Sequence, residues 1–333
     1  MLRMRAAVFE GMGKMPVREV DLGPPGPEDA RIRVHYCGIC GSDLSLFKTG
    51  ILSGPDKVLG HEVSGVVEED RSGRIAPGTR VVAWPARGCG RCVWCKDGHP
   101  RYCLEPPEWR GAYAELWDVP AQCAIPVPDG VDDRAASLAE PLGVGLRAID
   151  LAGVPGGALV YVSGLGAIGS LVVSALVERG ARVIGADIRE DRRKLGEELG
   201  CEVVFDPVAE DPWWRTLAVD PHGPGFAFEC SGAAPAVQSA FNVCGHLGTV
   251  VLLGIPFEPA TFIPAVMTVK EQRALSVSGP TIESMRQALD LLQRRPEAAR
   301  IITAEVPLEG AERAMRELLE GRGGVKVLVD PRV

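Results

Sequence analysis

The 333-residue sequence contains no apolar run near the ~20 residues that a membrane-spanning helix needs; even LVVSALV at 171–177 is seven residues long. Positive charge is also scarce. Thirty-six Lys and Arg stand against 44 Asp and Glu, and the net charge of −8 argues against a nucleic-acid groove or an anionic membrane surface. The N-terminal stretch MLRMRAAVFEGMGKM has no apolar segment suited to secretion, so the expected location is cytoplasmic. No internal repeat or low-complexity tract occurs, which leaves an ordinary globular chain. Its length allows two domains, each with its own core.

Glycine and proline are plentiful, at 40 and 27, and predict many tight turns. Ten cysteines in a chain without a secretory signal point to reduced thiols rather than disulfides. Four of them, Cys89, Cys92, Cys95 and Cys103, form a C-x2-C-x2-C-x7-C array within fifteen residues. Thiolates are soft charged ligands, and Zn²⁺ takes four of them tetrahedrally in closed structural sites. A 4Fe–4S cluster also opens C-x2-C-x2-C, but its fourth Cys follows after three residues and precedes Pro. Cys103 follows after seven and precedes Leu104. Four unliganded core cysteines would be an unusual cluster. The spacing therefore predicts a structural zinc lobe over 88–103.

Hydrophobic patterning divides the chain. Short β-forming stretches at Arg5–Glu10, Ala30–Tyr36, Val58–Glu68 and Gly78–Trp84 predict an irregular, mostly β first region. From about residue 132 helices appear, and from 158 apolar strands alternate with helices: 158–164, 181–187, 201–205, 225–230, 248–254 and 274–278. Near-continuous apolar strands joined by helices mean a parallel sheet covered on both faces, an α/β class. Helices at 282–294 and 308–320 and a strand at 325–330 are placed back on the first domain.

Gly164-Leu165-Gly166-Ala167-Ile168-Gly169 is G-x-G-x-x-G after an apolar strand and at the start of a helix. Asp187 ends the next strand, eighteen residues beyond Gly169. That context matches a dinucleotide-binding turn, with pyrophosphate at the helix N-terminus and Asp187 on the ribose 2′-OH. Asp187 favours NAD over NADP, since it would repel a 2′-phosphate. Arg192, with Arg189 and Arg193, lies close in sequence. Leu253 and Gly254, at the end of a later strand, complete the expected cofactor-binding set.

The third signal is Cys37-Gly-Ile-Cys40-Gly-Ser42-Asp43, with Gly60-His61-Glu62 following and Glu140 in Ala-Glu-Pro-Leu near the domain change. Cys, His and carboxylate with an open position make a catalytic zinc site. Cys37 is expected to be a neighbour rather than a ligand.

GICGSD, GHEVSG, the four-Cys array, AEPL and VSGLGAIG, in that order, resemble the zinc-dependent medium-chain dehydrogenase/reductase family across essentially the whole chain. The resemblance implies a GroES-like, mostly β catalytic domain over 1–145 and 281–333, and a Rossmann doubly wound parallel-sheet domain over 146–280. It also implies two zinc ions per chain and a homodimer or homotetramer. The AEPL carboxylate resembles the polyol, glucose and threonine dehydrogenase branch. Cys40, His61 and Glu140 are then the implied zinc ligands, with Glu62 a second candidate for the carboxylate position and Ser42 the acceptor of the alcohol proton. The implied reaction is NAD-dependent oxidation of a secondary hydroxyl on a polyol, sugar or cyclitol. Two departures stand out. Ser45 occupies the place of the usual relay His, and Gly279-Pro280 stands where sorbitol dehydrogenases carry Arg-Tyr.

Overall fold

The computed structural model describes residues 2–50, 56–107, 110–255 and 258–333. The chain divides into two compact units, one of Met1–Glu140 with Ile302–Val333 and one of Pro141–Ile301. Among the described residues no helix is long and apolar enough to cross a membrane.

The first unit is built on a seven-stranded sheet. Its path runs Ile302–Pro307, Lys326–Asp330, Asp29–Gly38, Glu62–Asp70, Arg80–Ala83 and Ala124–Pro126, with Leu116–Pro120 pairing against Asp29–Gly38 off that path. A three-stranded sheet of Val17–Leu22, Leu2–Phe9 and Lys57–Val58 accompanies it. Phe9, Met15, Phe47, Tyr113 and Trp117 fill the core of this unit. Burying each such side chain contributes about 1.5–3 kcal/mol. The strand from the far end of the chain pairs Leu328 with Gly38 and Val329 with Cys37, while Gly38 pairs on its other side with Glu62. That register brings Lys326 and Glu62 to one place.

A short helix, Gly41–Thr49, has no counterpart in the sequence reading. The Asp43 carboxylate accepts from the Cys40 N–H at 3.2 Å and starts it; Gly50, at φ 66°, ends it with its N–H on the Leu46 carbonyl.

The second unit holds six parallel strands in the spatial order Val203–Phe205, Arg182–Ala186, Leu159–Ser163, Phe226–Glu229, Thr249–Leu252, Arg273–Ser276. The order reverses between Leu159–Ser163 and Phe226–Glu229, which are themselves paired. Leu159–Ser163 is buried along its whole length, as its unbroken apolar sequence requires. Helix Ala167–Glu178 buries eight successive residues from Gly169 to Leu176.

One assignment from sequence needs correction. Residues 281–301 belong to the second unit, not to the first. Helix Ile282–Arg294 buries Met285, Ala288, Leu289, Leu291 and Leu292, and Arg295 donates to the carbonyls of Ser174 and Leu199. Those apolar and polar partners outweigh the simple loss of strand–helix alternation used to place the boundary.

Candidate functional site

The thiols of Cys89, Cys92, Cys95 and Cys103 lie within 4.8 Å of one another, and none forms a disulfide. Backbone amides point at the sulfurs: Cys89 N–H donates to Cys103 Sγ at 3.2 Å and Cys92 N–H to Cys89 Sγ at 3.4 Å. Amides of Leu104 and Cys95 pull the Cys92 thiol down to about 6, whereas desolvation pushes Cys95 up to about 12. Crowded thiols with amide donors fit a soft cation that replaces their protons. The lobe is open to solvent, with Val93, Trp94, Tyr102 and Leu104 exposed.

Cys40, His61 and Glu62 form a second group whose ligand atoms lie within 4.8 Å of one another. Cys40 sits at the cap of helix Gly41–Thr49. His61 precedes the strand that Glu62 begins. Gly60 leads into them at φ 94°, where an added Cβ would meet Cys37 Sγ at 2.8 Å and the Tyr113 ring at 2.9 Å. A side chain is excluded there by both conformation and space.

Buried ionic groups brace this trio. Asp43 Oδ1 faces His61 Nδ1 at 3.5 Å, and Asp43 Oδ2 accepts from Tyr113 Oη at 2.6 Å. Burial alone would raise the Asp43 carboxyl, but the His61 charge and these donors hold it below its ordinary value. Burial alone would lower His61; Asp43 and Cys40 instead hold it well above its ordinary range. Glu62 and Lys326, exposed by only 1% and 2%, pair at 2.5 Å through Oε2 and Nζ. Lys326 also donates to the Ile39 carbonyl at 3.0 Å. Glu62 Oε1 is buried and finds no hydrogen-bond partner among the described residues. A carboxylate with an unpartnered oxygen, grouped with a thiol and an imidazole, is a donor set suited to a cation.

Glu140 is not one of the converging three. It lies buried in the first turn of helix Ala139–Ala152, where desolvation pushes it up to about 7, opposed by the charge of His61 and reinforced by that of Glu62. Ser42 is half-buried in the first turn of its helix, and Ser45 is buried one turn on. Cys37 is fully buried and its thiol is pushed up by desolvation. Three residues around the trio carry no signal in the sequence reading: Asp43 as the His61 partner, Tyr113, and Lys326. Only Asp43 had a clue, its place within GICGSD.

In the second unit the six residues Gly164–Gly169 form the turn from strand Leu159–Ser163 into helix Ala167–Glu178. Asp187 is buried just past strand Arg182–Ala186; its Oδ2 accepts from Leu165 N–H at 2.8 Å and its Oδ1 from Arg189 N–H at 2.9 Å. Arg192 Nη1 stands 3.4 Å from Asp187 Oδ2, and the same guanidinium passes close to Gly166. Arg193 turns to the Asp187 carbonyl and to Asp206 instead. Leu253 and Gly254 donate their N–H groups to the Glu229 carbonyl at 2.8 and 2.9 Å.

The sequence profile of the alcohol dehydrogenase GroES-like domain matches residues 26–129, and that of the zinc-binding dehydrogenases matches 167–294. Sorbitol dehydrogenase of Macaca fascicularis is 30% identical over 342 residues, covering 95% of this chain and 93% of its own. A Sinorhizobium meliloti 1021 protein described as a zinc-binding dehydrogenase, with NADP bound, is 32% identical at a TM-score of 0.87, covering 99% of this chain and all of its own. L-idonate 5-dehydrogenase of Escherichia coli K-12 is 26% identical at a TM-score of 0.88, covering 99% and 98%.

Proposed function

From its place in the zinc-dependent medium-chain dehydrogenase/reductase family, to which the chain belongs, we propose that it is an NAD-linked enzyme oxidising a secondary hydroxyl of a polyol, sugar or cyclitol. Sorbitol and L-idonate, named for two similar proteins, support a hydroxyl-rich substrate. The observation that carries the reading is the convergence of Cys40, His61 and Glu62, whose ligand atoms lie within 4.8 Å of one another. We assign these three as the catalytic zinc ligands, with Cys89, Cys92, Cys95 and Cys103 holding the structural ion. Glu140 then acts as a carboxylate beyond the ligands.

When bound, zinc supplies Lewis acidity that lowers the pKa of a substrate hydroxyl, and NAD⁺ supplies the hydride acceptor. The chain's own residues prepare that chemistry. Asp43 engages Nδ1 of His61 and so leaves Nε2 for the metal. Lys326 occupies Glu62 Oε2 and leaves the other oxygen without a hydrogen-bond partner among the described residues. Ser42 Oγ would accept the proton that leaves the substrate hydroxyl while its own O–H proton passes on to water. The amides at the start of helix Ala167–Glu178 bind the pyrophosphate, and Asp187 accepts from the ribose. We place the enzyme in the cytoplasm as a homodimer or homotetramer; ten unpaired cysteines are in keeping with a reducing compartment.

A panel of polyols and cyclitols with NAD⁺, read by absorbance of the reduced cofactor, tests the activity. Turnover should disappear on chelation and return with zinc. Asp187→Ala should weaken NAD⁺ binding and narrow the gap to NADP⁺; a wild type that prefers NADP⁺ would overturn the cofactor assignment.

A further inference from the structure

Glu229 ends strand Phe226–Glu229 with 0% exposure, and no step of the proposed reaction uses it. A fully buried carboxylate is costly unless its oxygens are met by donors. Here the donors belong to the turn that follows. Oε1 accepts from the Ser231 N–H at 2.8 Å, from Ser231 Oγ, and from the Gly232 N–H at 3.0 Å. The backbone carbonyl of the same residue accepts from Leu253 and Gly254, at the end of the next strand. On the other side, Cys230 N–H donates to the Ser163 carbonyl at 2.8 Å, at the end of the strand that precedes the glycine-rich turn. Glu229 and Cys230 together therefore tie three strand ends.

The turn is pressed against the glycine-rich loop. Gly164 has φ 87°, and an added Cβ there would meet the Ser231 Cβ at 2.7 Å and its N at 2.8 Å. A Cβ on Gly169 would come within 3.3 Å of the Cys230 Cβ. Gly254 packs against the Gly232 backbone and Glu229 Oε2 from the far side. These segments leave the carboxyl ends of Leu159–Ser163 and Phe226–Glu229, the two strands between which the sheet order reverses. Crevices at such reversals are where ligands of open α/β sheets lie.

We infer that Glu229 is a positioning residue for the dinucleotide: its carboxylate shapes the turn Cys230–Gly232 into the second wall of the crevice and sets the seat of the loop Gly164–Gly169. This rests on the reading of that loop as the dinucleotide site. Glu229→Gln keeps the shape and one acceptor oxygen but sets an NH2 where Oε2 accepts from the Gly232 N–H at 3.3 Å, so that donor faces donor. The displaced turn carries the glycine loop with it.

The test uses the full-length, zinc-loaded protein and titrates NAD⁺ by calorimetry, recording both Kd and the fraction of competent sites. Glu229→Gln should raise Kd about tenfold, the equivalent of one lost hydrogen bond, with full occupancy and unchanged zinc content. At saturating NAD⁺, the KM for the alcohol should match wild type. A lower competent fraction with wild-type Kd would show a purely structural role and overturn the inference. Ser231→Ala, which removes the hydroxyl that donates to Glu229 and accepts from the Ala233 N–H, should raise Kd a few-fold; if Glu229→Gln fails to fold, an unchanged Kd in Ser231→Ala overturns it instead. A wild type that binds neither NAD⁺ nor NADP⁺ removes the dinucleotide reading and this inference together, whereas normal wild-type binding with an unaltered Glu229→Gln removes only the inference.

Discussion

The four thiols of the 88–103 lobe come from fifteen consecutive residues and lean on the amides of their own loop. Cys40 comes from one segment and the adjacent His61 and Glu62 from another, and they lean on Asp43, Tyr113 and Lys326, all buried. The lobe has little apolar packing to hold it, so the metal itself supplies its order. The trio sits against a packed sheet, and its positions are set by strand register and buried partners. Local ligands make a site that folds around its ion, and distant ligands make a site that a fold presents to its ion. An open position for substrate demands the second kind, since the protein must keep the vacancy from being closed by a fourth ligand.

The largest effect should come from the lobe. Cys95→Ser leaves three thiolates around an ion whose binding energy is coupled to folding, a term of about 10–16 kcal/mol in zinc-dependent peptides. Zinc content should fall from about two ions per chain to about one, and thermal unfolding should show loss of the lobe or of the assembled protein. A stable Cys95→Ser protein with both ions would break the contrast. Next in size is Lys326→Met, which leaves Glu62 buried without its cation and should cost about 3–5 kcal/mol in urea unfolding. Adding Glu62→Gln to Lys326→Met should recover much of that loss; no recovery would mean that the pair is not the brace described.

Glu62→Ala and Glu140→Ala, compared side by side, sharpen the contrast further. Glu62→Ala should lose the catalytic ion and keep the lobe ion. Glu140→Ala should keep both ions while turnover falls about 10–100-fold, as for carboxylates that act behind the ligands. The opposite pattern would exchange their roles. The smallest effect is expected from Tyr113→Phe, which removes one charge-assisted hydrogen bond to Asp43 and should cost about 1.5–3 kcal/mol without removing either ion.

The same division governs what could be read from the sequence. The cysteine lobe is local, so spacing alone indicated it. The glycine loop is legible because its strand, turn, helix and acid lie in one short stretch, 158–187. Lys326 is invisible by the same rule: nothing near it in sequence hints at Glu62, and only strand pairing across Cys37–Gly38 joins them. His35, which shows no partner in sequence, meets Asp133 at 2.6 Å through Nδ1, again across distant segments. Helix Ile282–Arg294 was readable as an element from its amphipathic pattern, but its unit was not. An apolar stripe tells that a helix must pack and leaves open against what.

The Glu62–Lys326 pair also sets a timetable. Its two halves are separated by 264 positions in the chain. At about 5–20 residues per second of synthesis, Lys326 follows Glu62 by roughly 13 to 50 s. The cysteine lobe is complete long before then and can capture its ion while the ribosome is still at work. Glu62 cannot meet Lys326 until the last strand is made. The strand Lys326–Asp330 thus joins its sheet late, and truncation before Lys326 is expected to leave Glu62 without its cation.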